Sequence, residues 1–422
     1  MRWPLLVFGF AAVLAGLLVY DYFQPGTRML TSDAKPRSQQ AFIADRIRQA
    51  EERSANVRGL YMTSEVANDG GRAAAGLRRG ILDLLDATEI NAVVIDVKET
   101  RGGAVFTERL GELIRVLHAR GAWVIARQVV FKDSSQEHTH PRWYLTRAGG
   151  AIWRDDRAGS WLDPASPEVW AYQLAVAQAA ADAGFDEVQF DYIRFPSDGN
   201  VQSIVYPVYD GARPKYEVLR EFFRFLHDEL RRHRPDLILS ADLFGYVALQ
   251  RRDLGIGQRL EDIGENFNYL SLMVYPSHYY AGFQVAADPV RGLPALFFPY
   301  RAGDASLVAA NRPYDVVYRS LLIAGDILAG TVATSSPGAA TATSTAPVTP
   351  PARRAKLRPW LQDFDLGVDS SRGIHYDAAK VRAQIDAAED AGSSGWLLWS
   401  PDNVYTRDAL RPKGLNAGDA RQ

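Results

Sequence analysis

The chain has 422 residues, 47% hydrophobic and 23% charged, which is a globular composition sufficient for one large domain or two ordinary ones. Its 48 Lys and Arg residues are balanced by 50 Asp and Glu residues, so it lacks the basic excess that nucleic-acid binding requires. The absence of cysteine excludes disulfides, thiolate nucleophiles and cysteine-bound metals. We expect no cofactor and no nucleic-acid partner.

Residues 3–20 form an uncharged apolar run at the start of the chain. At ~1.5 Å per residue a helix of this length covers about 27 Å, close to the thickness of a membrane core. No convincing cleavage site follows, so residues 1–24 are interpreted as an uncleaved single-pass anchor in the cytoplasmic membrane, with the rest exported. The alternatives are a cleaved signal, which would make the protein secreted, and a buried core helix.

Residues 25–57 are polar and are interpreted as a charged stalk or helix. The globular part is predicted to span residues 58–407, followed by a tail at 408–422. Within it, residues 331–355 are rich in Thr, Ala, Ser and Pro and are expected to be a disordered insertion before the seventh strand.

Eight short β-rich runs, bounded by Gly, Pro or Asn, alternate with helical stretches in the globular part. This repetition predicts an α/β fold, a (β/α)8 TIM barrel with insertions, and an open doubly wound sheet is the alternative. The runs lie at 59–64, 92–98, 123–131, 187–195, 237–244, 270–276, 359–364 and 395–401.

Alternation of side chains along a strand separates the positions that face the barrel interior from those that face the helices. On the fourth and fifth runs, this pattern places Asp191 and Asp242 inside, near the strand ends where barrel enzymes build their sites. Asp96 and Lys98 are placed inside on the second run, and Arg127 on the third, where both parities are open. The alternative without a catalytic role is a structural ion network in which Lys98 and Arg127 neutralise the carboxylates.

Several motifs occur in order along the chain: HPRWYL at 140–145, WLDPASPEVW at 161–170, FDEVQFDYIRFP at 185–196, SLMVYPSHY at 271–279, RPWLQDF at 358–364 and GWLLWSPDNVYT at 395–406. Through them the chain resembles, over residues 57–407, a glycoside hydrolase-like family of bacterial proteins formerly known only as a domain of unknown function. That family is distantly similar to α-amylase-type barrels.

The resemblance implies a carbohydrate-directed site at the carboxyl ends of the strands. By position, Asp191 would be the nucleophile and Asp242 the acid/base. Two departures stand against a standard amylase mechanism: such enzymes usually have Glu on the fifth strand and Arg two residues before the nucleophile, where this chain has Asp242 and Gln189.

Further residues are expected to contact substrate or to compete for catalytic roles. Substrate-binding candidates, beside the buried charges Asp96, Lys98 and Arg127, are Tyr192, Arg194, Tyr275, Trp360, Gln362, Asp363 and Trp399. Glu99 is an alternative acid, and the resemblance to amylase-like sites implies a third acidic residue that Asp363 or Asp365 could supply. The His138-Thr139-His140 spacing leaves a metal-dependent hydrolase open. Aromatic residues expected at strand ends, where they could stack on sugars, are Trp161, Tyr192, Phe244, Tyr275, Tyr279, Tyr280, Trp360, Trp399 and Tyr405.

The sequence thus predicts a membrane-anchored glycosidase-like barrel that acts outside the cytoplasmic membrane on a polysaccharide or glycoconjugate through two carboxylates. The competing hypothesis is a carbohydrate-binding barrel of the cell envelope without catalytic activity. No protein partner can be assigned from the sequence.

Overall fold

A computed structural model describes residues 39–249, 253–330 and 355–414. The chain divides into two compact units, residues 1–44 and 45–422. In the described ranges, no helix is both long and apolar enough to cross a membrane. The predicted anchor at 3–20 lies outside the described residues, as do most of the 331–355 insertion and the end of the tail.

Eight parallel strands close into a barrel, which confirms the predicted (β/α)8 fold. The seventh strand is split by Arg358 and Pro359 into β9 and β10, because proline has no N–H to donate to a ladder. In chain order the barrel strands are β1 (Val57–Met62), β2 (Ala92–Lys98), β3 (Trp123–Val129), β4 (Glu187–Asp191), β5 (Ile238–Phe244), β6 (Tyr269–Met273), β9 (Lys356–Leu357) with β10 (Trp360–Gln362), and β11 (Gly395–Trp399). The hairpin strands β7 (Phe283–Val285) and β8 (Leu296–Phe298) pair antiparallel outside this sheet.

Helices follow the strands around the barrel, as the alternation of β-rich runs and helical stretches predicts. Helix α5 begins after Ser166, whose hydroxyl accepts from the Val169 amide, and Gly184 just beyond it adopts a positive φ. The helices are α1 (Gln39–Ser54), α2 (Ser64–Asn68), α3 (Arg72–Ala87), α4 (Glu108–Ala119), α5 (Pro167–Asp182), α6 (Lys215–His233), α7 (Leu260–Ile263), α8 (Pro313–Ala329), α9 (Gly367–Ser370) and α10 (Ala378–Asp390). The sequence prediction missed α8.

The apolar residues form two separate layers, as side-chain alternation requires. One set, including Val93, Ile95, Leu239 and Leu243, packs between the strands and the surrounding helices. The other fills the barrel interior with Val57, Tyr61, Ala92, Val94, Trp123, Ile125, Ile238, Tyr269, Tyr275, Trp360 and Leu397. Gly395 is required where β11 passes β1, because a Cβ there would lie 1.9 Å from the Val57 carbonyl oxygen.

A fully buried ion pair occupies the amino-terminal end of the barrel. Arg358 Nη1 lies 2.9 Å from both carboxylate oxygens of Glu187, and Trp123 Nε1 donates to Glu187 at 2.9 Å. Arg358 Nη2 also donates to the Ser54 carbonyl at the end of α1. These charges can be buried in the barrel because they are paired and hydrogen-bonded. Through Arg358 they also attach the end of α1 to the amino-terminal end of the barrel.

The fourth strand is shorter than predicted and ends at Asp191. Tyr192 has a φ of 52°, which breaks the alternation of side chains. Continued alternation beyond Asp191 would place Ile193 inside the barrel and Tyr192 on the outer face. Instead Ile193 packs in the outer apolar layer, and Tyr192, a predicted substrate contact, lines a cavity at the barrel mouth.

Candidate active site

Arg127 is the centre of a charged cluster at the carboxyl ends of β2 to β5. Its Nη1 donates to Asp96 Oδ1 at 2.6 Å, its Nη2 donates to Asp191 Oδ2, and its Nε lies 3.5 Å from Asp242 Oδ2. Burial acts to lower the pKa of Arg127, but the surrounding carboxylates outweigh it and hold the pKa above its ordinary value. One permanently charged guanidinium therefore holds three carboxylates together, and the inward parity of Arg127 is settled.

Asp191 ends β4 and is 4% exposed. Its Oδ1 accepts a hydrogen bond from the Tyr192 backbone N–H at 2.6 Å, in addition to the ion pair with Arg127. The left-handed backbone at Tyr192 accompanies this short contact. Both donors fix the orientation of the Asp191 carboxylate.

Asp242 stands opposite Asp191 on the neighbouring strand. The β4–β5 register pairs Phe190 with Ala241, so its continuation pairs Asp191 with Asp242 at matched height. Trp360 Nε1 donates to Asp242 Oδ1 at 2.8 Å, while Oδ2 is buried without a hydrogen bond in the described structure. Burial, and then the charge of Asp191, raise the pKa of Asp242 well above its ordinary value.

Asp96 lies behind Arg127 and does not line the cavity. Its two carboxylate oxygens accept from Tyr61 Oη at 2.5 Å and from Arg127 Nη1 at 2.6 Å. Burial raises the pKa of Asp96 despite these donors. Asp96 therefore holds the Arg127 guanidinium in position.

Lys98 is separated from the acid cluster by a register irregularity between Asp96 and Lys98. Its Nζ lies 2.8 Å from Asp133 Oδ2, with both side chains fully buried, and donates to the Val129 carbonyl at 3.0 Å. Lys98 therefore neutralises Asp133 and neither Asp191 nor Asp242, unlike the structural network considered from the sequence.

A cavity of about 300 Å³ opens above the acid pair at the barrel mouth. Among its walls, Tyr275 stacks on Trp399 with ring centroids 5.5 Å apart, and Phe364 meets Trp399 edge-on at 5.1 Å. The lining residues are Arg127, Lys132, Arg157, Asp191, Tyr192, Arg194, Asp198, Asp242, Phe244, Met273, Tyr275, His278, Tyr280, Trp360 and Trp399. A cavity with aromatic walls and a few convergent charges is typical of a small-molecule or sugar site.

Two predicted substrate-binding residues, Gln362 and Asp363, are absent from the cavity lining. Gln362 is fully buried and donates to Ser277 Oγ and to the Phe364 carbonyl. Asp363 accepts from the Thr406 amide at 2.9 Å and from the Thr406 hydroxyl at 2.7 Å. Both fix the segments that carry the aromatic wall.

The remaining acid and aromatic candidates also have structural partners. Glu99 accepts from the Ser64 amide, and Asp365 accepts from the Tyr376 amide and contacts His375. Among the aromatic candidates, Trp161, Tyr279 and Tyr405 are absent from the cavity lining.

The histidine pair offers no assembled metal site. His140 stacks on Trp143 with centroids 3.9 Å apart, and its Nδ1 lies 3.0 Å from Thr139 Oγ1. Across the described residues, no group of three or more His, Cys, Asp or Glu side chains is placed to bind a metal.

Sequence reasoning missed several residues that line the cavity: Lys132, Arg157, Asp198, Met273 and His278. Lys132 and Arg157 lie in the long segment between β3 and α5, which has no periodicity to reveal their orientation. Burial lowers the pKa of His278 to about 4, so this imidazole is neutral at physiological pH.

Comparison with known proteins identifies the family. A family model described as "Putative glycosyl hydrolase domain" matches residues 59–405. The chain belongs to this family. The match covers all of the barrel strands except the first two residues of β1, and it includes Asp191, Asp242 and the cavity around them.

Solved structures show what the fold resembles, and no curated protein matches the chain. The glycoside hydrolase domain of PgaB (BpsB) from Bordetella bronchiseptica has a TM-score of 0.54 and 13% identity over 84% of this chain and 99% of that one. At that identity the likeness shows the fold alone. A hypothetical protein from Ruminiclostridium thermocellum is 30% identical over 43% of this chain and 96% of its own, with a TM-score of 0.37. The α-galactosidase TtGalA from Thermus thermophilus has a TM-score of 0.45 and 13% identity over 82% of this chain and 58% of its own.

One departure from the amylase pattern has a structural explanation. Gln189 stands two residues before Asp191, where the amylase pattern has Arg, and its side chain donates to Ser271 Oγ at 3.0 Å. In the strand register its neighbour on β3 is Arg127, which supplies the guanidinium from the adjacent strand. The charge beside the candidate nucleophile is thus present, but it comes from a different strand.

Proposed function

We propose that the protein is a glycosidase that cleaves a polysaccharide or glycoconjugate with Asp191 as nucleophile and Asp242 as acid/base. The observation that carries the proposal is the pair of carboxylates at matched height on adjacent strands, at the base of an aromatic cavity. Family membership supports glycosyl hydrolysis, and the residue roles rest on the geometry.

The environments of the two acids separate their roles. Arg127 and the Tyr192 amide donate to Asp191 and orient its carboxylate for attack on the anomeric carbon. The pKa of Asp242 is raised by burial and by Asp191, which favours the protonated form needed to donate to the leaving oxygen. An oriented carboxylate beside a carboxyl group of raised pKa suits glycosidic cleavage.

The aromatic wall would hold the sugar over the acids. Tyr275 and Trp399 present stacked rings next to Trp360, whose indole N–H is already committed to Asp242. A sugar ring that packs on such a surface buries its apolar C–H face while its hydroxyls remain free for polar contacts. Binding and proton donation would thus be linked through Trp360.

A second candidate function is carbohydrate binding without catalysis. Asp242 is only 1% exposed, with Oδ1 held by Trp360 and Oδ2 close to Arg127. In that case the only role of Asp242 would be to hold Arg127 and the Trp360 indole in place. Under this alternative the cavity would bind sugar and turnover would be absent.

The anchor and the location are also part of the proposal. The apolar run at residues 3–20 supports a single membrane span with the barrel outside the cytoplasmic membrane. Bacterial envelope or extracellular polysaccharides would then be the accessible substrates.

The deciding experiment is a screen of the full-length protein against bacterial polysaccharides, with the release of reducing ends measured and the products identified. Hydrolysis by the wild type that is lost in Asp191→Asn supports the glycosidase. Retained sugar binding with no product from any polymer supports the binding alternative.

A further inference from the structure

The cavity above Asp191 and Asp242 is here called the acid cavity. A second cavity, here called the basic subsite, opens beside it. It has a volume of about 250 Å³ and is lined by Thr100, Arg101, Lys132, Ser134, Arg157, Ala158, Gly159 and Tyr192. Three of these residues, Lys132, Arg157 and Tyr192, line the acid cavity as well. The two cavities are therefore contiguous, and a ligand longer than one sugar could occupy both.

The lining of the basic subsite contains three cations and no carboxylate. Lys132 is paired with Asp155 at 2.7 Å. The side chains of Arg101 and Arg157, in contrast, have no ion pair in the described structure, and both are exposed. The subsite therefore has two guanidinium groups available to an incoming anion.

Arg194 adds a further cation on the wall of the acid cavity, and it is 4% exposed. Its guanidinium carbon lies 4.4 Å from the ring centroid of Phe244, 4.8 Å from that of Trp161 and 5.3 Å from that of Tyr192. Such contacts hold the planar group in one orientation.

The hydrogen bonds of Arg194 leave part of its guanidinium unused. Nη1 donates to the Phe195 carbonyl and to Ser197 Oγ, each at 3.1 Å. The closest carboxylate is Asp198, 3.9 Å from Nη2 and 60% exposed, a distance and exposure at which an ion pair contributes little. A buried guanidinium without a close counter-ion is costly, so Nη2 of Arg194 is available to a polar group of a ligand in the acid cavity.

We propose that the substrate is an acidic saccharide whose carboxylate, sulfate or phosphate group binds at the basic subsite through Arg157 and Arg101, with Arg194 facing the sugar over the acids. This rests on the proposed function for the identity of the ligand as a saccharide and goes beyond it in naming its charge. Asp191 and Asp242 lie in the other cavity, so the anionic group would be on a sugar next to the one that reacts.

Binding to matched polysaccharides tests the proposal without relying on turnover. Each acidic bacterial polysaccharide of a panel is paired with its carboxyl-reduced form, which keeps the linkages and removes the charge, and dextran is paired with dextran sulfate and dextran phosphate. Binding to the full-length Asp191→Asn protein is measured in low salt, so that hydrolysis does not consume the ligand. We expect at least one acidic polymer to bind about tenfold more tightly than its neutral partner.

The variants Arg157→Gln and Arg101→Gln should each reduce that preference severalfold. Arg101→Gln, which changes a residue that lines only the basic subsite, should leave the affinity for the neutral partner unchanged. Arg79→Gln, an exposed arginine on α3, removes the same charge away from both cavities and is the matched control. Arg194→Lys keeps the charge but not the planar group, and its melting temperature reports whether the aromatic packing survives.

Each result has one meaning. Preference for carboxylated polymers identifies an acidic sugar, and preference for the sulfated or phosphorylated dextran identifies an ester substituent. Equal affinity for charged and neutral forms, or the same loss of preference in Arg79→Gln, overturns the proposal. Failure of the wild type to hydrolyse any bound polymer would instead contradict the glycosidase function and leave the preference for anions established.

Discussion

Asp191 and Asp242 share Arg127, which donates through Nη2 to the first and approaches the second to 3.5 Å through Nε. The arginine thus bridges two carboxyl groups that would repel each other if both were charged. The same bridge makes each acid separable by mutation, because a neutral amide at one position leaves Arg127 paired with the other and with Asp96.

The first prediction concerns the acid pair. Asp191→Asn should abolish turnover and keep the fold, since the amide matches the carboxylate in size and Arg127 keeps two partners. Asp242→Asn should slow chiefly substrates with poor leaving groups, because a good leaving group needs no proton. Rates and melting temperatures of both variants are compared with those of Asp83→Asn, an exposed control on α3.

Two outcomes of that comparison would contradict the catalytic roles. A folded and fully active Asp191→Asn protein excludes the nucleophile. A loss of about 3–5 kcal/mol in the free energy of unfolding for either variant indicates that the carboxylates chiefly neutralise Arg127.

The second prediction follows from the raised pKa of Asp242. The unfolded chain releases this proton near pH 4 and the folded protein retains it, so stability falls as the pH rises from the ordinary carboxyl range to the raised pKa. Asp242→Asn removes this loss. The free energy of unfolding of the variant relative to the wild type should therefore increase from pH 4 to pH 7, by at most about 1.4 kcal/mol per pH unit.

The same pKa predicts the alkaline limb of activity. Hydrolysis should fall as the pH rises through the pKa of Asp242, because only the protonated acid can donate to the leaving oxygen. A rate without any alkaline limb, for substrates with poor leaving groups and over the pH range in which the protein stays folded, would exclude Asp242 as the acid.

The third prediction concerns the buried pair of Lys98 and Asp133. Lys98→Met should lower the free energy of unfolding by about 3–5 kcal/mol, since it leaves a buried carboxylate without its cation. Combining it with Asp133→Asn should restore part of the loss. Arg213→Gln, which breaks an exposed pair with Glu221, is the control and should cost at most about 1 kcal/mol in urea unfolding.

The fourth prediction concerns the amino-terminal segment. Full-length protein should stay in the membrane pellet after a high-salt wash, whereas a chain beginning near residue 40 should be soluble and folded. Isolation of a mature protein that begins after residue 20 would show that the segment is a cleaved signal.

The fifth prediction is that residues 331–354 can be replaced by a short Gly/Ser linker with a change in melting temperature of about a degree or two. Their composition cannot offset an ordering entropy of ~1–2 kcal/mol per residue. Ala355 must be kept, because it is buried and its N–H donates to the Gly264 carbonyl at 2.9 Å. Leu321→Ala in α8 is the control: it truncates a buried core residue and should lower the free energy of unfolding by ~2–5 kcal/mol.

Much of the barrel could be predicted because its signals are local. Each strand is a short apolar run, and alternation alone placed Asp191 and Asp242 inside. Alternation failed at Tyr192 and Ile193, where one positive φ reverses which side chain faces inward. The local sequence does not indicate that change, since tyrosine is a common residue in strands.

The partners of the charged residues were harder to predict because they depend on distant segments. Lys98 pairs with Asp133, which lies in the loop after β3, and sequence spacing does not indicate that contact. Arg157 comes from the same irregular segment and reaches both cavities. Side chains on long loops are positioned by tertiary contacts, so their contribution to a site cannot be deduced from periodicity.

The ion pair of Glu187 and Arg358 has a consequence for biosynthesis. The two residues are 171 positions apart, so a nascent chain contains Glu187 long before its cation is made. Until then the carboxylate must stay hydrated, which opposes closure of a partial barrel made from the first strands. The amino-terminal half is therefore expected to remain open during translation, and the barrel to close in one late step when the split seventh strand is inserted.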